Sequence, residues 1–109
     1  MAYKNYKFTP QVKKDIDQAI DYIVNELGDV NAAKKLFGDI LKTIERICLF
    51  PESCEAVDNK LIKNKNVRRA LVNNYLLFYI LDYKNSAIIF IRFIYGRRSI
   101  IELLKEVSL

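Results

Sequence analysis

The period of the apolar residues changes once along this 109-residue chain, near Pro51, and that change limits the possible folds more than any other feature. Before it, Val12, Ile16, Ala19, Ile20, Ile23 and Leu27 recur at spacings of three and four. Ala33, Leu36, Phe37, Ile40, Ile44 and Ile47 do the same, so each set lines one stripe of a helix. Asp15, Asp17 and Asp21 are expected mostly on the opposite side of the first helix. After Pro51 the apolar residues come in short β-branched and aromatic runs, Val67 to Val72, Tyr75 to Leu81 and Ala87 to Tyr95. These have strand length and are divided by turn residues. No run approaches the roughly 20 apolar residues that a membrane helix needs. No secretory leader is visible, so a cytoplasmic protein without a membrane partner is expected.

Local signals set the boundaries. Met1 to Phe8 alternates loosely and is expected to hold a first strand. Thr9-Pro10 reads as an N-cap followed by the first helical position. Gly28 ends the first helix, and Asn31 is expected to cap the second. Phe50-Pro51 stops the second helix, since proline cannot continue it and restricts the residue before it. The short link predicts an antiparallel helical hairpin over about 10–50. Glu52 to Asn66 reads as a loop with a partial strand near Lys60 to Lys63. Asn73-Asn74 and Lys84-Asn85-Ser86 are tight turns, which makes three strands over about 67–95 an antiparallel meander. Ser99, with Glu102 three residues later, has the spacing of a capping box and predicts a short helix over about 99–107. The expectation is one α+β domain over 1–109, in the order β-α-α-β-β-β-α, with the hairpin packed on a small antiparallel β-sheet.

Charge is uneven. Residues 1–58 carry eight basic and ten acidic side chains; residues 59–109 carry ten basic and three acidic. Five of the latter are arginines: Arg68, Arg69, Arg92, Arg97 and Arg98. Arginine's planar fork suits phosphate or carboxylate, so a face holding these residues with Lys60, Lys63 and Lys65 is a candidate for binding nucleic acid or an acidic protein. Period-two alternation puts Arg68 and Arg69 on opposite faces of their strand, and Gly96 gives the chain a sharp exit before Arg97. There is no histidine, so any acid–base chemistry falls to Lys, Arg, Tyr, Glu or Asp. Cys48 and Cys54 are too few for a structural zinc site, no glycine-rich phosphate loop occurs, and no cofactor is expected. Cys48 is read as a small packed hydrophobe and Cys54 as a loop residue, with a disulfide between them the less favoured arrangement.

Four stretches, in this order, resemble the RelE/ParE superfamily of toxins from bacterial type II toxin–antitoxin modules, also described as plasmid stabilisation proteins. They are "YKFTPQVKKDIDQAIDYI", "AAKKLFGDILKTIERICLFPES", "VRRALVNNYLLFYIL" and "IIFIRFIYGRRS". The resemblance implies a growth-inhibiting toxin neutralised by a small acidic antitoxin that folds on binding. It also implies that Arg68 or Arg69 converges with Arg97 or Arg98 on a concave face of the sheet. One branch of the superfamily resembles a ribosome-dependent mRNA endonuclease. In that branch Arg68, Arg69, Arg97 and Arg98 would stabilise the phosphate, and Tyr95 or Glu102 would handle protons. This chain departs from that pattern: it lacks histidine and has Leu104 near where a late tyrosine is expected. The other branch resembles the toxin that poisons DNA gyrase by binding, and the long hairpin and Phe-Pro-Glu-Ser ending look more like this one. A third reading is a module that has lost toxicity and keeps antitoxin binding. The edge of the small sheet offers pairing to an antitoxin strand or to a second copy.

Overall fold

The computed structural model describes residues 5–57 and 66–96. Strand β1 (Asn5–Phe8) leads into helix α1 (Pro10–Asp21), a π-helical turn (Tyr22–Glu26) and helix α2 (Val30–Leu49). Four more strands follow: β2 (Glu55–Ala56), β3 (Val67–Val72), β4 (Tyr75–Asp82) and β5 (Ala87–Tyr95). They form one sheet in the order β1-β5-β4-β3-β2. The expected partial strand near Lys60 to Lys63 and the expected helix over 99–107 lie outside the described residues. Among the described residues no helix is long and apolar enough to cross a membrane.

Local chemistry explains most boundaries. The Thr9 side chain accepts from the Val12 N–H, and Pro10 follows at the start of α1. Helix α2 is capped two residues earlier than Asn31: Asp29 accepts from the Ala32 N–H, and the helix begins at Val30. Asp29 is as good a cap as asparagine and lies nearer the glycine turn, where Gly28 takes φ +65°. Asn73 and Ser86 adopt positive φ in the two hairpin turns, as tight connections require. The segment expected to be a loop after Pro51 contains β2, whose two residues pair antiparallel with Arg68 and Arg69. Two exposed residues carry no usable period, so pairing with β3 is what orders them.

The sheet is mixed: β3, β4 and β5 form the expected antiparallel meander, and β1 joins β5 in parallel. Both helices lie on one face. Val12, Ala19, Leu36, Ile40, Ile44 and Ile47 meet Ala70, Val72, Leu77, Tyr79, Leu81, Ile88, Phe90 and Phe93 there. On the other face Val67, Phe78, Ile91 and Ile94 form a second buried cluster. Strand β5 is therefore apolar on both sides, in keeping with its near-continuous hydrophobic run.

Two residues leave the stripes that the sequence assigned them. Leu27 is 60% exposed and Phe37 is 51% exposed. The Leu27 N–H donates to the Tyr22 carbonyl five residues back, a wide turn that inserts one residue and rotates Leu27 off the core. Phe37 lies at the solvent margin of its stripe, beyond the arc that reaches the sheet.

Candidate functional site

Three of the five arginines expected to form a binding face lie in the described residues, and each is held by the protein itself. Arg92 is 6% exposed, which corrects its expected surface role. Its Nε donates to Asp15 Oδ2 at 2.8 Å and its Nη2 to Oδ1 at 3.3 Å. Asp15 also accepts from the Phe93 N–H at 3.0 Å and from Gln11 Nε2 at 2.9 Å. Asp15 therefore lies on the buried side of α1, among Val12 and Ala19, and not with Asp17 and Asp21 on the exposed side. The reason is the edge of β5. Strand β1 covers that edge only as far as Phe90. Beyond it, Thr9 donates to the carbonyls of Phe90 and Ile91, and Asp15 takes the Phe93 N–H. A bulge at Ile91, where Phe78 pairs with Arg92 and Tyr79 with Phe90, re-aims the strand toward α1.

Arg68 and Arg69 fall on opposite faces, as alternation requires. Arg68 pairs with Tyr79 on the helix side, and Arg69 with Phe78 on the other. Both fasten the segment after α2. Arg68 Nη1 donates to the carbonyls of Glu52 and Cys54 at 3.0 and 2.6 Å. Arg69 donates through Nε and Nη2 to Glu55 Oε2 at 3.2 and 3.0 Å. The Tyr79 hydroxyl donates to the Pro51 carbonyl at 2.9 Å; burial and the neighbouring Cys54 push its pKa well above the ordinary phenol value. Both cysteines are free thiols, and burial raises the Cys48 pKa. Lys60, Lys63, Lys65, Arg97, Arg98 and Glu102 lie outside the described residues.

Tyr95, the remaining candidate, stands at the rim of a cleft of about 640 Å³ between the helices and the end of the sheet. The cleft is lined by Tyr22, Ile23 and Leu27 at the π-helical turn, Ala32, Lys35 and Leu36 on α2, and Asn73, Asn74 and Tyr75 at the β3–β4 turn. Tyr75 stacks on Phe93 with centroids 4.7 Å apart and meets Tyr95 edge-on at 5.6 Å. Burial raises the Tyr75 pKa, and the nearby hydroxyls of Tyr95 and Tyr22 add to the rise. Lys35 is paired with Asp39 at 2.7 Å, which draws the Asp39 carboxyl below its usual value. Gly96 closes the site at the backbone: its N–H donates to the Asn74 carbonyl, and a Cβ there would meet that oxygen at 3.2 Å. Gly96 thus allows the backbone to approach the Asn74 carbonyl closely.

Sequence reasoning named Tyr95 as a proton-handling candidate and not as part of a cleft, and it missed Tyr22, Leu27 and Tyr75 beside it. The π-helical turn brings Tyr22 and Leu27 there, and no pattern in the sequence announces it. Asp15 was findable, being a lone carboxylate three residues after Val12 and four before Ala19. Chemically, an open apolar cleft with three tyrosines suits a side chain or helix of another protein better than a reaction that needs a dry polar centre.

The site is thus a helical hairpin over a small mixed sheet, with an apolar cleft open between them. The family model for the ParE toxin of the type II toxin–antitoxin system, parDE, matches residues 6–100, and the chain belongs to that family. Among solved structures it is similar to a chain of the chromosomal ParDE toxin–antitoxin system from P. aeruginosa. That match is 16% identical, with a TM-score of 0.65, and covers 84% of this chain and 94% of that one. It is also similar to a chain of the archaeal RelE–RelB complex from Pyrococcus horikoshii OT3. There the identity is 17% and the TM-score 0.60, covering 91% of this chain and 100% of the other. At these identities the likeness shows the fold. A search of curated protein sequences gives no match.

Proposed function

We propose that this toxin inhibits growth by binding DNA gyrase, not by cutting mRNA, and that an acidic antitoxin silences it by seating an apolar segment in the tyrosine cleft. The observation that carries this reading is the use made of the arginines. A nuclease acting through a ribose 2′-hydroxyl needs free positive charge around the phosphorane. Among the described candidates, Arg92 is instead locked to Asp15, Arg68 donates to two backbone carbonyls, and Arg69 is paired, in solvent, with Glu55. The open cleft, lined by Tyr22, Leu27, Tyr75 and Tyr95, supports a role in protein binding. The net charge of +5 favours an acidic partner.

The test is induced expression in bacteria that lack the antitoxin, with primer extension on a translated mRNA and an assay of DNA double-strand breaks. Purified protein is then added to a gyrase supercoiling reaction. Intact mRNA, broken DNA and inhibited supercoiling are expected. Cleavage within translated codons with intact DNA would replace this reading with the mRNA endonuclease. Normal growth despite folded protein would replace it with an inactive, antitoxin-binding module.

A further inference from the structure

Helix α2 has two apolar faces, and the fold uses one. Leu36, Ile40, Ile44 and Ile47 are buried against the sheet. Val30, Phe37 and Leu41 are each 51% exposed. At 3.6 residues per turn, these three fall with Lys34, Gly38 and Glu45 inside about 100° of the helix surface. A surface helix that packs only on its own core shows one such stripe and a polar back.

Gly38 lies within the second face, in the middle of a 20-residue helix. Glycine is the poorest helix former after proline. Among the described residues, a Cβ built on Gly38 meets no atom within 4 Å, so none of them requires a glycine there. What bare backbone at that point allows is the close approach of a second helix, since the distance between packed helices depends on the size of the residues at the crossing.

The face is also complementary to itself. Phe37 and Leu41 lie two residues either side of Asp39; Lys34 and Glu45 lie five and six residues either side. Lys34 and Glu45 are eleven residues apart, about 16 Å along the helix, too far to pair with each other. Among the described residues neither has an ion-pair partner. Two antiparallel copies of α2 related by a two-fold axis at the level of Asp39 put Phe37 against the partner subunit's Leu41. The same operation puts Lys34 beside the partner subunit's Glu45, so every contact is made twice.

We propose that the outer face of α2 is a homodimerisation surface, with the two helices crossing antiparallel at Gly38. One helix face is a small interface, below about 1,200 Å², so the association is weak, on the order of 10 µM. The proposal does not depend on the cellular target.

Sedimentation velocity of the full chain from about 1 to 300 µM brackets that affinity and tests the proposal. The wild type is expected to shift from monomer to dimer across this range. Gly38→Lys, which places a long side chain at the crossing, is expected to weaken the dimer at least about tenfold, with unchanged circular dichroism. Glu45→Lys is expected to weaken it about tenfold, and Lys34→Glu with Glu45→Lys to restore it. The charge swap decides the matter if Gly38→Lys does not fold. A wild type that stays monomeric at the highest concentration would leave this face to another protein and overturn the proposal. So would a dimer unaffected by both Gly38→Lys and Glu45→Lys.

Discussion

The outer edge of β5 and the cleft at its C-terminal end lie a few residues apart and are built in opposite ways. At the edge, the Asp15 carboxylate takes donors from Gln11, Arg92 and the Phe93 backbone, and both ionic partners are almost wholly buried. No buried side-chain polar atom among the described residues is left without a partner. At the cleft, aromatic rings and leucine stand half-exposed around open space. The edge is finished by residues of the chain itself. The cleft is apolar surface that no other described residue covers. Among the described residues, Arg68, Arg69 and Arg92 bond within the fold, which the charge count of the sequence does not announce.

Substitutions can break or sharpen that contrast. Asp15→Ala should have the largest effect, costing about 3–5 kcal/mol in urea unfolding, because it strands a buried guanidinium and the Phe93 N–H. Replacing both partners, Asp15→Leu with Arg92→Leu, should recover much of that loss. A single substitution that costs less than about 1 kcal/mol would mean that the edge is not sealed as described. Tyr79→Phe should cost about 1 kcal/mol through its bond to Pro51. It should also change the alkaline limb. The folded-state pKa of Tyr79 is raised, so its contribution is complete below the unfolded phenol value of about 10 and is lost as pH rises above it. Stability of the wild type should therefore fall in strong alkali, and less steeply in Tyr79→Phe. The shifts of Tyr75 and Cys48 have the same sign and leave part of that slope in place.

Smaller changes separate fastening from contact. Arg69→Ala should cost about 0.5 kcal/mol or less in thermal denaturation, since its pair with Glu55 is largely solvated. Tyr22→Ser with Tyr95→Ser should alter stability least, within about 0.5 kcal/mol, because both side chains are half-exposed. In growth assays the same double variant should no longer be rescued by co-expressed antitoxin. Rescue equal to that of wild type would remove the cleft from the antitoxin interface.

Much of the fold was legible because its signals are local. Thr9-Pro10, Asn73-Asn74 and the change of period at Pro51 act within a few residues of themselves. What stayed hidden depends on distant partners. Strand β2 exists because Arg68 and Arg69 meet it, the burial of Asp15 depends on an edge 77 residues away, and the parallel docking of β1 depends on β5. Phe37 and Leu27 belong to the right helices but lie outside the arcs that touch the sheet, a matter of a few tens of degrees that periodicity alone does not resolve. Tyr95 was named from the sequence for another role, and the cleft was not legible because its walls come from elements that only folding brings together.

The pairing of Asn5 with Ala87 also sets a schedule for the protein's own birth. The strand flanked by both β1 and β4 is the last strand described, so the first strand and both helices leave the ribosome before the surface they pack on has been made. For the hairpin, which ends at Leu49, the wait until Ala87 is made is roughly 2–8 s at ordinary synthesis rates of about 5–20 residues per second. During it the hairpin's apolar stripe faces water, open to chaperones or to an antitoxin already in the cell. A toxin assembled this way has no finished sheet to act with until β5 has been made.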